Sequence, residues 1–581
     1  MKKKGLISGL LGLCVCISGC NAGDTEHTHD YSRKAVEDQY LKAAATCTSA
    51  AEYYYSCACG EKGEESFRDG KSLGHDYTVK AEDSQYIKTE KTCQQEAEYF
   101  YSCANCGGAG RETFTVEGLG DHVFDQEVPA DIYLKAEATF TSSAEYYTSC
   151  VCGLQGVNTF FYGEKLRDYT DEEKVPYTPT SLTVTLYDTE NSTYGFTYNT
   201  QSKPLKPVIQ VSVGENFADY QEYTASVQSE TSYLKDSGES FTYYIVKAEV
   251  PLESNTTYTY RAYDKHVQVG SEVATMTTKD TKATTFTFAH VSDSQGASAR
   301  FREVLKCMSS SVDFLVHTGD FVENSKWESE WNSMIHGSFN YLSKIPVMAI
   351  SGNHETTYKN GNNETFKHFN NKIPVQSSTN LGYFYSFIYG NTKFIMLNTN
   401  DLLGNKLKDE QYDWLVNELE NNDCTWTIVG LHNPMYSVGG YGSNPSKNQI
   451  CLALREQLQS IFAQYGVDIV LQGHDHVISR TRPIDQTGQA NAENWKTMDG
   501  VAYSVDPNGV IYVMNGPAGE QARSIYEEAD TAMYHYAQAS KARSWAEFAI
   551  EGNKMVVTVK YTDGSREHVY HTWGISKSVD D

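Results

Sequence analysis

From Thr285 onward, six short apolar runs each end in polar side chains, and helical stretches separate the later ones. The runs are TFTFAHVSD, VDFLVHTGD, IPVMAISGNHE, FIMLNTN, WTIVGLHN and VDIVLQGHDH, with DEQYDWLVNELENN and NQICLALREQLQSIFAQYG as the helices. Apolar strand-like runs alternating with helices predict an α/β domain. In such sheets chemistry collects beyond the carboxyl ends of the strands. One pattern thus sets both the fold class and the place to look for a site.

Five of the runs carry a polar cluster at that end: Asp293 with Gln295, Asp320 with Glu323, Asn353 with His354, His432, and His474 with His476. Singly each is ordinary, since an Asp after a strand often caps a helix and a lone His is usually a hydrogen-bonded surface group. Five clusters in one register are not. Apart from Glu323, they supply two carboxylates, two amide oxygens, three ligand-type imidazoles and a fourth imidazole beside an amide. Such donors suit two ions of Mn, Fe or Zn that share one carboxylate. A pair of ions clamps the attacking and leaving oxygens of an in-line displacement, which predicts phosphoester hydrolysis. Gly352 gives the chain room for the tight turn that carries Asn353 and His354.

The blocks D-x-Q, GDxxE, GNHE, a lone His after a strand, and GHxH resemble those of the calcineurin-like metallophosphoesterases. Together with the β-rich segment before them, they are similar to purple-acid-phosphatase-like proteins over roughly residues 179–581. The resemblance implies a catalytic domain of two β-sheets between helices. It also implies one ion held by Asp293, Gln295, Asp320 and His476, and a second held by Asp320, Asn353, His432 and His474. His354 and Asp320 would be the catalytic residues. His354 would face substrate beside Asn353, either stabilising the phosphoryl charge or protonating the leaving oxygen. Two departures stand out. Gln295 replaces the His of many relatives and favours harder ions. Glu323 occupies the position, three residues after the shared Asp, where purple acid phosphatases carry a tyrosine. A colourless pair of divalent ions is therefore expected, with Glu323 near the ligands and not one of them.

Other candidates have plainer readings. His290, His317 and His336 are expected in structural hydrogen bonds, and Cys307, Cys424 and Cys451 as buried thiols. His368, Asn433, Tyr436 and the SVGGYGS loop are candidates for the cleft wall, with Tyr436 joining Asn353 and His354 as a substrate contact. Near the end, RSWAEFAIEGNKMVVTVKYTDGS predicts two strands and a hairpin turn at Asp563–Gly564 that close a second sheet onto the core.

Residues 173–281 contain seven short alternating runs from SLTVTLY to EVATMTT, separated by Asn, Gly and Ser turns. This predicts a β-sandwich, similar to the fibronectin-like domain that precedes the catalytic domain in purple acid phosphatases.

Residues 20–172 contain three β-rich repeats. HDYSRKAVEDQYLKAAATC from His29 returns from His75 and, as HVFDQEVPADIYLKAEATF, from His122; each is followed by an aromatic line such as AEYYYSCACG. The third copy has Phe140 for the first cysteine and Arg167 for the histidine, so cysteine and histidine disappear together. One expectation is a Cys₃His zinc site in each of the first two copies: Cys47, Cys57, Cys59, His75, and Cys93, Cys103, Cys106, His122. The other is disulfides with spare thiols. The repeats resemble cysteine-containing repeats of Gram-positive surface proteins, which implies spacing or binding of a cell-wall or surface ligand.

Residues 1–19 are basic, then apolar, and too short to span a bilayer comfortably, which is the layout of a secretory signal. Ile17-Ser18-Gly19-Cys20 resembles the lipobox of bacterial lipoproteins, implying an exported protein anchored in the membrane through lipid on Cys20. The 581-residue chain carries a net charge of −27; without the signal's three lysines it has 45 basic against 75 acidic residues, or −30. Binding to duplex nucleic acid through a basic face is excluded, and any phosphate must be held by local cations. The reading is a surface-anchored phosphohydrolase, 282–581 catalytic, acting as a phosphomonoesterase. The alternatives are a phosphodiesterase or nucleotidase with the same centre, or a surface binding protein that uses the fold as a scaffold.

Overall fold

The structure is a computed structural model that describes residues 28–308, 310–356, 364–374 and 383–578. The chain divides into two compact units after Lys165. Just past that boundary, Tyr169 already packs edge-on against Tyr177 and His266 of the second unit.

In the first unit, three three-stranded antiparallel sheets follow one another: Leu41–Ala43, Ala51–Ser56 and Lys62–Asp69; Ile87–Thr89, Ala97–Ser102 and Ala109–Val116; Leu134–Ala136, Ala144–Ser149 and Gln155–Tyr162. Each is preceded by a single 3₁₀ turn ending in a buried tyrosine. The hydroxyl of that tyrosine donates to a glycine carbonyl in the turn after the second strand: Tyr40 to Gly60, Tyr86 to Gly107, Tyr133 to Gly153. Few apolar side chains are enclosed in so small a sheet, so the tyrosines serve as core and turn clamp together.

In the second unit, residues 180–277 form a two-sheet sandwich. One sheet has the strand order Thr180–Asp188, Thr193–Thr200, Ser240–Pro251, Ser226–Tyr233; the other runs Gln221–Thr224, Pro207–Val213, Thr257–Asp264, with Val269–Gly270 and Ala274–Thr277 both on the last. Nine strands appear where seven runs were expected, because YTASV divides around Ala225 and a two-residue strand is added. The sandwich is fixed to the α/β domain by buried polar contacts: Thr183 Oγ1 donates to the His368 carbonyl at 2.7 Å, and Asn199 Nδ2 to Glu328 Oε1 at 2.6 Å.

The α/β domain has two sheets. The first, of eight strands, places Val347–Ala349, Phe314–His317 and Thr285–Val291 in parallel and then continues antiparallel through Ser544–Glu551, Lys554–Thr562 and Glu567–Ser576. The second, of seven strands, has a parallel centre of Thr392–Met396, Trp426–Gly430, Ile469–Gln472 and Ile511–Asn515. Its central strands are buried on both faces, which is why they read as unbroken apolar runs. Phe288 joins the sheets, stacking on Phe548 at 4.6 Å and meeting Phe394 edge-on at 5.1 Å. Helix Ser298–Cys307 covers the first sheet with Phe301, Val304 and Leu305, and helices Asp409–Glu420 and Gln449–Gln464 cover the second with Trp414, Leu415, Leu454, Leu458 and Phe462.

The carboxyl-terminal strands differ from expectation. They do not close a second sheet; Ser544–Glu551 pairs directly with Thr285–Val291 in the first one. The expected hairpin turn at Asp563–Gly564 is present, joining Lys554–Thr562 to a third strand, Glu567–Ser576, and a further hairpin turn lies at Gly552–Asn553, where Gly552 has a φ of 56°.

Candidate metal centre

Beyond the strand ends, the five clusters meet. Asp293, Asp320 and His432 are at most 1% exposed. Ligand atoms of Asp320, His432 and His474 all lie within 4.8 Å of one another. His432 Nε2 stands 3.2 Å from Asp320 Oδ2 and 3.0 Å from Asn353 Oδ1, and His476 Nε2 stands 3.2 Å from Asp293 Oδ1. The loops are laced together by their backbones, with Ser294 and Gln295 both donating to the Asp320 carbonyl.

The backbone is strained where it presents these groups. Asp293, Asp320, His474 and His476 have φ of 56°, 58°, 72° and 46°, a region most side chains avoid. Each such residue costs on the order of 1–3 kcal/mol, which the surrounding fold must offset. Gly352 is required by a close approach: a Cβ there would lie 2.0 Å from Asp320 Oδ1.

Hydrogen bonds on the far ring nitrogens aim the imidazoles inward. His432 Nδ1 donates to the Thr318 carbonyl at 2.8 Å, and His476 Nδ1 donates to that of Gln521 at 2.8 Å, leaving each Nε2 turned toward the carboxylates. Gln295 Oε1 is buried with no hydrogen-bond partner. A buried amide oxygen without a donor is costly in a protein and natural beside a cation, so the donor set fits metal ions.

Charge follows the same geometry. Burial alone would raise the Asp293 carboxyl, but the imidazoles of His476 and His432 outweigh it and hold the group below its ordinary range; Asp320 is lowered likewise by His432 and His354. Burial alone would lower His432, yet the two carboxylates push it up to about 9. His474 is depressed to about 3 by burial and by His432. The centre is built around anionic carboxylates, which favour positive charge at His432.

His354 lies at the edge of the cluster. Its Nδ1 donates to the Glu323 carbonyl at 2.7 Å, and its Nε2 is 3.9 Å from Asp320 Oδ2. Burial lowers its pKa, and the carboxylate of Asp320 more than restores it. The Glu323 side chain is half exposed, its carboxylate 3.9 Å from His354.

Three of the cleft-wall candidates fall elsewhere, and the fourth, the SVGGYGS loop, reaches the centre through Tyr441. Tyr436 is buried in the core beneath the second sheet, its ring against Tyr512 at 4.5 Å and its hydroxyl on Gln459, so it does not line a cleft. A short stretch of loop after His432 was enough to turn it inward. His368 is stacked on Trp331 at 4.0 Å under the sandwich, and Asn433 is tied to Thr399. In SVGGYGS the glycine turn is held by Asp475, whose carboxylate accepts from Ser437, Tyr441 and Gly442. His290 and His317 are buried and bonded to Thr318 and Ser294, as structural histidines should be. Of the three lone cysteines only Cys451 is fully buried.

The expected zinc sets also regroup. Cys57 and Cys59 gather with His29, Cys47 with His75, Cys103 and Cys106, and Cys93 with His122, Cys150 and Cys152. In the two four-ligand sets the donors come from neighbouring repeats, the first cysteine of one copy meeting the histidine and Cys pair of the next.

Two residues that the structure places here, Glu355 and Arg523, had no role in the sequence pattern. Glu355, fully buried, accepts four backbone N–H groups: Asp320 at 2.7 Å, Phe321 at 2.8 Å, Val322 at 3.3 Å and Gly352 at 2.7 Å. It thereby locks the Asp320 loop to the Asn353 turn. Burial and Asp320 push its carboxyl up to about 7, against the pull of those donors. Its only sequence signal was its place in GNHE. Tyr441 packs on His474 at 4.2 Å, and the exposed Arg523 donates to the His474 carbonyl at 3.2 Å.

Residues 286–478 match the family model described as Calcineurin-like phosphoesterase. Among curated relatives, the chain is 26% identical over 210 residues to purple acid phosphatase 15 of Arabidopsis thaliana, covering 35% of each chain. It is 25% identical over 233 residues to human acid phosphatase type 7, covering 36% of this chain and 49% of that one. It is 27% identical over 235 residues to a nucleotide pyrophosphatase/phosphodiesterase of Hordeum vulgare, covering 37% and 59%. These alignments thus span about a third to three-fifths of the relatives' own lengths. Among solved structures, yellow lupin purple acid phosphatase PPD1 superposes with a TM-score of 0.56 at 18% identity, covering 69% of this chain and 74% of that one. PhoD superposes with a TM-score of 0.50 at 13% identity, covering 68% and 90%. The second unit therefore has the metallophosphoesterase fold, and the chain carries a calcineurin-like phosphoesterase domain.

Proposed function

We propose that the chain is a dinuclear-metal phosphohydrolase acting on phosphomonoesters. The observation that carries this reading is the convergence of two carboxylates, three imidazoles and two amides around one buried spot, with the Gln295 oxygen left unpaired. Asp293, Gln295, Asp320 and His476 would hold one ion; Asp320, Asn353, His432 and His474 would hold the other. Two such ions supply a nucleophile near neutral pH and neutralise charge on the phosphoryl group during in-line displacement. Glu323 sits where a colouring tyrosine is expected, which favours a divalent pair.

The protein's own groups do the rest. Asp320 is held by Glu355 and Gly352 in a fixed place between the two donor sets. His354 anchors Nδ1–H on a carbonyl, so its Nε2 is the atom left to face substrate. As an imidazolium, the state favoured by Asp320, it donates Nε2–H to a phosphoryl oxygen or to the leaving oxygen. In a chain of charge −27, His354 and Arg523 provide the local positive charge that a phosphate dianion needs. The sandwich order, with Thr180–Asp188, Thr193–Thr200, Ser240–Pro251 and Ser226–Tyr233 in one sheet and Gln221–Thr224, Pro207–Val213 and Thr257–Asp264 in the other, supports its reading as a fibronectin-like domain. The reading of residues 1–19 as a signal and Cys20 as a lipid anchor at the cell surface rests on the Ile17–Cys20 motif; both lie outside the described residues.

The test is turnover by the metal-reconstituted chain of p-nitrophenyl phosphate, bis-p-nitrophenyl phosphate and nucleotides, with Asp320→Asn as control. Monoester turnover that Asp320→Asn abolishes is expected. A preference for diesters or nucleotides would favour the second reading, which the barley relative supports. No turnover of any substrate, or none that depends on Asp320, would leave a binding protein on a phosphoesterase scaffold.

A further inference from the structure

We propose that the repeats hold two tetrahedral zinc ions, each shared between consecutive copies. One is bound by Cys47 of the first repeat with His75, Cys103 and Cys106 of the second. The other is bound by Cys93 of the second with His122, Cys150 and Cys152 of the third.

Geometry is the first support. In each set every ligand atom lies within 4.8 Å of the others. Cys47 Sγ is 3.7 Å from Cys103 Sγ, and Cys106 Sγ is 3.5 Å from His75 Nδ1; the matching distances in the second set are 3.2 Å for Cys93 to Cys150 and 3.3 Å for Cys152 to His122. A tetrahedron with Zn–S near 2.3 Å and Zn–N near 2.0 Å has edges of about 3.8 Å between sulfurs and about 3.5 Å between sulfur and nitrogen. None of these cysteines is in a disulfide. Three thiols and one imidazole also cannot be satisfied by disulfides alone, whereas a Cys₃His site uses all four.

The second support is that the setting of the ligands repeats. Each histidine stacks on the aromatic ring two residues later: His29 on Tyr31, His75 on Tyr77, His122 against Phe124. That ring in turn lies over a glycine of the third strand, Gly63, Gly110 or Gly156, where a Cβ would come within about 3 Å of it. The ring fixes the imidazole with Nδ1 toward the Cys pair, which is how ligand histidines are oriented by their surroundings. The Asp76 N–H donates to Cys103 Sγ at 3.3 Å, as to a thiolate.

The third support is the pattern of losses. With each site inside one repeat, the third copy would have kept two useless cysteines. With each site shared, Cys150 and Cys152 complete the set begun by Cys93 and are needed, while Phe140 and Arg167 stand only where a further copy would begin another set. At the other end His29, Cys57 and Cys59 form a three-ligand set among the described residues. Loading each full site releases to solvent whatever thiol protons remain and couples binding to the docking of two repeats.

The test uses the full chain purified without reductant, with Cys57→Ser and Cys59→Ser silencing the three-ligand set. Native mass spectrometry should count two zinc ions that thiol-specific mercurial releases. After exchange, cobalt should give a thiolate charge-transfer band, which the centre of the second unit cannot give because none of its candidate ligands is a cysteine. Cys47→Ser should halve the band, Cys47→Ser with Cys103→Ser should still leave half, and Cys47→Ser with Cys93→Ser should abolish it. A band untouched by Cys47→Ser would overturn the shared assignment. Disulfide-linked peptides from these cysteines in place of bound metal would overturn the zinc sites altogether. The count of mercurial-released metal in the Cys57→Ser, Cys59→Ser chain decides between zinc and disulfides even where a further variant fails to fold.

Discussion

Replacing Glu355 by Gln probes how the centre is held without touching any proposed ligand. Oε1 of Glu355 takes the N–H groups of Phe321 and Val322, and Oε2 takes those of Asp320 and Gly352. A glutamine keeps one acceptor oxygen and turns an amide NH₂ toward the other pair of donors. Two buried N–H groups lose their partner, at about 1–3 kcal/mol each, so the expected cost is about 2–6 kcal/mol. Part of this falls on the Asp320 loop locally, loosening the carboxylate assigned to both ions. Denaturant unfolding of the second unit, followed through its buried tryptophans, should shift by that amount, and metal affinity measured by chelator competition should fall together with kcat. Glu355→Gln with stability within about 0.5 kcal/mol of wild type and unchanged metal affinity would refute the idea that this carboxylate locks the loop.

His354→Gln should lower kcat by about 10²–10⁴-fold on alkyl phosphates, whose leaving oxygen needs a proton, and by much less on p-nitrophenyl phosphate; equal losses on both would remove the acid role. The iron-loaded protein should show no visible tyrosinate charge-transfer band, because Glu323 stands at the tyrosine position. His290 is buried between Thr318 and Asn515 and depressed to about 3, chiefly by burial, against an ordinary value near 6.5. The unfolded chain takes up a proton that the fold refuses, so stability is full above pH 6.5 and falls by about 1.4 kcal/mol per unit as pH drops toward 3. His290→Gln should flatten the pH dependence of unfolding by that slope, and an unchanged slope would contradict the neutral, buried imidazole.

The strand-end clusters were legible in the sequence because parallel strands buried on both faces announce themselves as apolar runs, and their polar tails then stand out. Asp293, Asp320 and His432 needed nothing more. Glu355 was not legible, since its partners are backbone N–H groups that no sequence pattern names, most of them more than thirty residues away. Tyr436 was misjudged because closeness in sequence to His432 says nothing about which side of a loop a ring takes. The repeats were visible as periodicity, yet periodicity alone assigns each cysteine to its own copy. The placement of Cys47 beside Cys103 and of Cys93 beside Cys150 shows the donors crossing between copies. The Ser544–Glu551 pairing with Thr285–Val291 joins strands over 250 residues apart, and local pattern cannot reach that far.

The central claim is that five separated loops cage two ions that share Asp320. Electron paramagnetic resonance of the manganese-loaded chain tests it most directly, since thiolate sites in the repeats disfavour this hard ion. The expected result is the signature of a spin-coupled manganese pair, lost in Asp320→Asn. Isolated, uncoupled manganese in the wild-type chain, or a coupled pair that survives the loss of that carboxylate, would contradict it.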